Sequence, residues 1–253
     1  MSDSSDDEAG EVLPAGTTEA RERAVEALRE GGLVVLPTDT VYGIVADAFN
    51  PHATRRLLRA RGGGRNRPLP VLIRSPRQVV GLAGDVPESA DRLMAAYWPG
   101  PLTLVLRAVP GLTWDLGNTA DRLGLRIPTD EDLLAIVKEV GPLACTSAKK
   151  RRGTLGTTVE TVREDFAATV ACFVDGGELA GPLSTIVDAS RGEQIEVLRA
   201  GAIPAEHILE VAAGNLDWGE RPEAAEEDEV DVRTAQHPAG DPDAADDPPG
   251  DEE

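Results

Sequence analysis

Four stretches of the chain carry residue types that can hold a small anion or a polar substrate. The first is Pro37-Thr38-Asp39-Thr40-Val41-Tyr42-Gly43, a polar loop directly after the apolar run Leu33 to Leu36. Ligand sites of open α/β sheets gather at such strand ends. The hydroxyls of Thr38 and Thr40 can bond a carboxylate or a hydroxyl, Tyr42 offers an amphipathic wall, and Gly43 lets backbone come close. The same residues also suit a capped turn around a buried tyrosine.

The second stretch, residues 55 to 77, holds Arg55, Arg56, Arg59, Arg61, Arg65, Arg67, Arg74 and Arg77 and no acidic residue. Arginine is the side chain suited to bidentate phosphate contact, and Gly62 to Gly64 give a loop able to wrap an anion. It is not a Walker loop, since no GK[ST] follows the glycines, and GxGxxG is absent too. Arg55 and Arg56 read as a solvated helix face, whereas Arg61 and Arg65, beside the glycines, read as anion ligands. The third stretch is GPLACTSAKKRRG, residues 141 to 153, which runs from a strand-like start through Thr146 and Ser147 into Lys149, Lys150, Arg151 and Arg152. A hydroxyl pair at a strand end followed by cations suits a triphosphate, and it equally suits solvated surface. In the fourth, Ser184 opens the apolar run Thr185 to Val187 and Arg199 closes Val197-Leu198.

These residues need a frame. Thr17 to Glu30 is periodic in alanine and leucine, carries a threonine cap and stops at Gly31-Gly32, so the pattern predicts a helix. Further helices are expected over 52–61, 87–97, 130–139, 158–165 and 204–212. Strands are expected over 33–36, 69–73, 102–107, 123–127, 142–146, 169–174, 184–188 and 195–198. Interleaved strands and helices predict one α/β domain over a buried mixed sheet. In that frame the strand through Leu143 delivers Ser147 to the same sheet edge as the Thr38–Thr40 loop.

The formal charge of −20 is concentrated at the ends. Residues 219 to 253 hold 14 Asp and Glu against two Arg, and residues 1 to 11 hold five acids and no cation, which leaves the body near −3. Such segments bury too little apolar surface to offset their ordering entropy. Residues 1–13 and 215–253 are therefore expected to be disordered acidic tails around a domain at 14–214. No apolar run approaches the roughly 18 residues that span a bilayer, so a cytoplasmic protein without membrane contact is expected. Cys145 and Cys172 both lie in apolar contexts, which predicts buried reduced thiols, and His52, His207 and His237 are too scattered for a metal motif.

Taken in order, seven blocks resemble the YrdC/Sua5 family of L-threonylcarbamoyladenylate synthases. They are GGLVVLPTDTVYGIVADAF, RPLPVLI, YWPGPLTLVL, LGLRIP, GPLACTSA, LSTIVDAS and VLRAGAI, spanning about residues 17 to 211. The resemblance implies a single YrdC-like domain with a twisted mixed sheet, flanking helices and a concave basic face. The acidic tail stands where longer Sua5 members carry a further domain. The implied reaction joins L-threonine, bicarbonate and ATP, with Mg2+, into threonylcarbamoyl-AMP and pyrophosphate. That product feeds the t6A transferase machinery acting on tRNA.

By resemblance Thr40, Arg126, Ser184 and the backbone at Cys145 would hold threonine. Ser147 and Arg199 would face ATP, and Arg61, Arg65 and Lys149, read from their own positions, would join them on the phosphates, Lys149 and Arg65 standing in for the family's lost arginine. The family's KxR stands here as Arg61-Gly62-Gly63, and its SxN as Ser147-Ala148-Lys149, followed by three more cations. Leu72 stands where Sua5-type members have histidine. Two other readings remain: a non-synthesising relative that binds tRNA or double-stranded RNA on its arginines, and a module that handles a carbamoyl adenylate.

Overall fold

Val34, Val35 and Leu36 are all buried, as are Ile44, Val45 and Ala46. Side chains alternate along a strand, so such runs must be covered on both faces. The computed structural model of the chain, which describes residues 10–149 and 155–216, meets that need with a ten-stranded mixed sheet. The strands are β1 (Glu11–Pro14), β2 (Val34–Leu36), β3 (Gly43–Asp47), β4 (Val71–Leu72), β5 (Leu102–Arg107), β6 (Arg122–Arg126), β7 (Leu143–Ser147), β8 (Cys172–Asp175), β9 (Thr185–Arg191) and β10 (Gln194–Arg199). The helices are α1 (Thr18–Arg29), α2 (Pro51–Arg61), α3 (Glu88–Tyr97), α4 (Glu131–Val140), α5 (Val159–Phe166) and α6 (Ala205–Ala213). Across the sheet the order is β1-β8-β2-β3-β7-β4-β6-β5-β9-β10.

The two faces carry separate cores. Val34, Leu36 and Val45 pack with Ala24 and Leu28 of α1 and with Ile136 and Val137 of α4. Val35, Ile44 and Ala46 face the other way, toward a core that includes Leu57 of α2, Leu93 of α3, Phe166 of α5 and Ile208 of α6. Helix starts follow the capping chemistry of the sequence. Thr17 caps α1 through Ala20 N–H at 3.2 Å, Asn50 caps α2, and Asp130 caps α4 through Leu133 N–H at 2.8 Å.

All six helices fall within a residue of their expected ends, and the strands differ more. β1 lies inside the segment expected to be a disordered tail and pairs in parallel with β8, Glu11 opposite Cys172 through Pro14 opposite Asp175. Leu13 enters the core there, an apolar hook that the surrounding acids mask in composition. The ordered unit therefore begins by Glu11 and not at residue 14. β3 is not among the expected strands, since GIVAD is short and follows the polar loop with no turn signal between them. Of the strand expected over 69–73 only Val71–Leu72 remains; Pro68 and Pro70 lack the N–H that a ladder needs. The C-terminal acidic segment from 217 onward, and the cations Lys150 to Arg152, lie outside the described residues.

Register then fixes the site. β2 and β3 are antiparallel, with Leu36 opposite Gly43, so residues 37 to 42 form a tight connection at one edge. Gly43 is opposite Ser147, and Ala148 N–H donates to the Tyr42 carbonyl at 2.7 Å. On the other side of the sheet Leu104 is opposite Leu125, which brings Arg126 level with Thr103. Leu104 is fully buried between its neighbours. Leu104→Ala should lower unfolding free energy by about 2–5 kcal/mol, whereas Val80→Ala, at a side chain 83% exposed, should change it by less than about 0.5 kcal/mol. Urea unfolding of the two variants checks the contrast.

Candidate functional site

The Thr38–Thr40 loop is organised from within. Thr38 Oγ1 donates to the Val41 carbonyl at 2.6 Å and accepts from the N–H groups of Thr40 and Val41 at 3.1 and 3.2 Å. Its hydroxyl is thus spent on the turn and is not offered to a ligand. Thr40 Oγ1, 3.0 Å from Thr38 Oγ1, faces inward. Tyr42 is not a pocket wall either, for it is fully buried and donates to the Gly177 carbonyl at 2.7 Å. Burial, opposed by the Gly176 N–H, pushes its phenol up to about 12.

Arg126 is the centre of the cluster. It is 7% exposed, and each of its three guanidinium nitrogens makes a hydrogen bond. Nε donates to the Gly100 carbonyl at 3.0 Å, Nη1 to Thr40 Oγ1 at 3.3 Å and Nη2 to Asp39 Oδ1 at 2.7 Å. A buried guanidinium needs such partners, since leaving it unpaired carries a large desolvation cost. Gly181 packs against the same loop; a Cβ there would lie 2.8 Å from the Thr40 carbonyl oxygen. That close approach brings the segment leading to Ser184 over Thr40.

Ser184 and Arg199 form the adjoining wall. Arg199 donates through Nε and Nη2 to the Ser184 carbonyl at 3.0 and 2.8 Å, and through Nη2 to Ser184 Oγ at 2.9 Å. Ser184 Oγ is 3.2 Å from Thr103 Oγ1. Burial, and then the neighbouring charge of Arg126, push the Arg199 guanidinium below its usual range. Two cations therefore sit close together, and Asp39 is the carboxylate bonded to either of them among the described residues.

Cys145 lies on β7 beneath Gly43, where a Cβ would meet Sγ at 3.2 Å. Its N–H donates to the Pro70 carbonyl at 2.9 Å, so that group serves the sheet. Ser147 ends β7 at the loop, and Lys149 follows, exposed, its N–H bonded to the Ser147 carbonyl at 2.7 Å. The structure thus brings Thr40, Arg126, Ser184 and Arg199 together, with Cys145 underneath and Ser147 and Lys149 at the edge.

Arg61 and Arg65 make their contacts elsewhere. Arg61 Nη2 donates to the carbonyls of Gly64 and Arg67 at 3.2 and 2.5 Å, closing the glycine loop on itself, while its Nε is buried without a hydrogen-bond partner. Arg65 Nη2 bonds Asp115 Oδ1 at 2.5 Å, and Arg55 Nε lies 3.8 Å from Asp115 Oδ2. Asp115, distant in sequence, thus supplies the negative charge that residues 55 to 77 lack. The bond from Arg65 holds its carboxyl below the usual carboxylate range despite partial burial.

Three participants escaped the sequence reading: Asp39, Thr103 and the Gly100 carbonyl. Asp39 stood in the quoted loop between two threonines. Thr103, a buried hydroxyl in the apolar run of β5, was the readable signal for a polar contact across that strand. The Gly100 carbonyl left no side-chain trace.

The fold and the cluster define an α/β domain whose sheet carries a buried guanidinium centre. The family model for Sua5, YciO and YrdC, described as telomere recombination, matches residues 26–201, and the chain belongs to that family. A Mycobacterium tuberculosis protein (strain ATCC 25618 / H37Rv) is 42% identical over 191 residues, covering 74% of this chain and 87% of its own length. The threonylcarbamoyl-AMP synthase of Pyrococcus abyssi (strain GE5 / Orsay) is 36% identical over 186 residues, covering 73% of this chain and 54% of its own. The crystal structure of P. abyssi Sua5 complexed with L-threonine superposes with a TM-score of 0.70 at 33% identity, over 79% of this chain and 60% of that one. This chain therefore spans well under two thirds of the P. abyssi protein. No helix among the described residues is long and apolar enough to cross a membrane.

Neither cysteine is bridged; Cys172 is buried as expected, whereas Cys145 is only half-buried, because it ends up near the sheet edge beneath the loop. Burial pushes the Cys145 thiol up to about 12 and the Cys172 thiol up to about 11. Since the thiolate is the nucleophile, a raised pKa leaves little of it near neutrality. Both thiols should resist iodoacetamide for hours at pH 8 in the native protein and react within minutes in 6 M guanidinium chloride, followed by mass spectrometry.

Proposed function

We propose that the chain is an L-threonylcarbamoyladenylate synthase. It would join L-threonine, bicarbonate and ATP into threonylcarbamoyl-AMP, releasing pyrophosphate. In the balance of that reaction a nitrogen–carbon bond forms between the amine and the bicarbonate carbon as a carbon–oxygen bond breaks and water leaves; a carbamate oxygen then bonds the α-phosphorus, the bond from that phosphorus to the bridging oxygen breaks, and pyrophosphate leaves. Positioning and charge stabilisation are what the protein has to supply. The observation that carries the reading is the buried Arg126, held between Thr40 and Gly100 beside the Ser184–Arg199 wall. A fixed guanidinium is the natural partner of an amino-acid carboxylate, and the family likeness supports the assignment.

On this reading Thr40, Arg126 and Ser184 hold L-threonine, with the backbone at Cys145 beneath. Arg199, Ser147 and Lys149 face the nucleotide, and Mg2+ enters on the triphosphate as part of the substrate. Arg61 and Arg65 are assigned to the phosphates from their place beside the glycines; Arg65 would first have to leave Asp115. The enzyme would work in the cytoplasm and hand its product to the t6A transferase machinery and tRNA. Direct binding of double-stranded RNA to the arginines of 55 to 77 is the second reading, and the Asp115 pairing with Arg55 and Arg65 weakens it by neutralising part of that face.

The test is pyrophosphate release by the purified full chain. Release should require L-threonine and bicarbonate together, and ATP turnover unaffected by either would contradict the proposal. Arg126→Lys keeps the charge but loses the fork. Losing charge-assisted bonds worth about 1.5–3 kcal/mol should lower kcat/KM for threonine by roughly 10- to 100-fold, with the melting temperature recorded alongside as a check on folding.

A further inference from the structure

The Arg126–Asp39 pair holds more information than carboxylate binding needs. Arg126 Nη2 is the nitrogen shared by both two-pronged faces of a guanidinium, and it is the one that Asp39 occupies at 2.7 Å. The side chains of the pair are 9% and 11% exposed. A ligand carboxylate arriving at either face of Arg126 meets the Asp39 carboxylate beside it. Two carboxylates so placed repel, and burial strengthens the repulsion.

The surroundings divide by sign. Arg199 lies on the Arg126 side, close enough for the two charges to be felt. Asp39 is the carboxylate on the other side of the guanidinium; Asp130, whose carboxyl burial raises, spends its Oδ1 on the cap of α4 through Leu133 N–H. The site thus presents a positive pole, Arg126 with Arg199, next to a negative pole, Asp39. A simple carboxylate satisfies the first pole and opposes the second. An α-amino acid carries its ammonium one carbon from its carboxylate and satisfies both.

We infer that Asp39 is the residue that selects a zwitterion. On binding, the Arg126–Asp39 pair exchanges partners: the ligand carboxylate takes the guanidinium and the ligand ammonium takes Asp39. Every charge stays partnered, which a buried site requires. The inference rests on the threonine reading given above, and it assigns discrimination between amino acids and plain hydroxy acids to one side chain.

Calorimetric titration of the full chain with L-threonine and with 3-hydroxybutanoic acid, the same skeleton without the amine, tests it. The wild type should bind L-threonine roughly 10- to 100-fold more tightly than the hydroxy acid, the size of one charge-assisted contact. Asp39→Asn should weaken L-threonine by a similar factor while weakening the hydroxy acid little or strengthening it, so that the ratio collapses. Unchanged or tighter threonine binding by Asp39→Asn would overturn the inference, since Asp39 would then be only a competitor for Arg126. An equal loss for both ligands would also overturn it, by showing a structural role alone. Should Asp39→Asn not fold, the wild-type ratio still decides: equal binding of the two ligands removes the need for a negative pole. Absence of threonine binding by the wild type would remove the function proposed above together with this inference.

Discussion

A cation buried in a sheet protein has to be paid for by geometry, and Arg126 shows how. Its position opposite Thr103 follows from the β5–β6 register. Its three hydrogen-bonding nitrogens then dictate where other segments lie. Gly100 must turn its carbonyl inward, and the β2–β3 connection must present Thr40 and Asp39 together. Thr38 makes the second requirement possible by satisfying three backbone groups of that connection with one hydroxyl. The anchor of the loop lies outside the cluster: Tyr42 reaches across to residues 176 and 177 after β8.

Charge is organised on two scales. Most of the excess negative charge belongs to the terminal segments of the sequence, while the body is nearly balanced. Within the body the balance is local. Asp115 neutralises part of the arginine-rich stretch, and Asp188, 3% exposed, is held by Arg122 at 3.1 Å and by Ser190. Against that pattern the Arg126–Arg199 neighbourhood stands out, with two guanidiniums and one directly bonded carboxylate. A site left with spare positive charge in a buried setting is prepared for an anion.

Much of the frame was legible because periodicity and caps act locally. The α1 pattern and its threonine cap, or the apolar run of β2, need no distant partner to be read. Thr40, Ser184 and Arg199 stand out by residue type at strand ends, Arg126 only through the family resemblance, and the four lie close together in the structure. What stayed hidden was set by long-range pairing. β1 exists because it pairs with β8 and Leu13 joins a core that includes Leu133, Cys172 and Val174, more than a hundred positions away, and nothing in its acidic context announces that. Asp115 likewise meets Arg65 only through the fold, so counting charges within residues 55 to 77 overstated their freedom. Asp39 was visible as a residue yet unreadable as a role, because its partner lies 87 positions along the chain.

We propose that Arg126 is a carboxylate receptor kept ready by its neighbours. A crystal structure of the full chain with L-threonine tests it most directly. The account expects the threonine carboxylate within about 3 Å of the Arg126 guanidinium nitrogens, between Thr40 and Ser184, with the Asp39 bond to Nη2 opened. Threonine bound elsewhere, with the Arg126 contacts to Asp39, Thr40 and Gly100 unchanged, would contradict it.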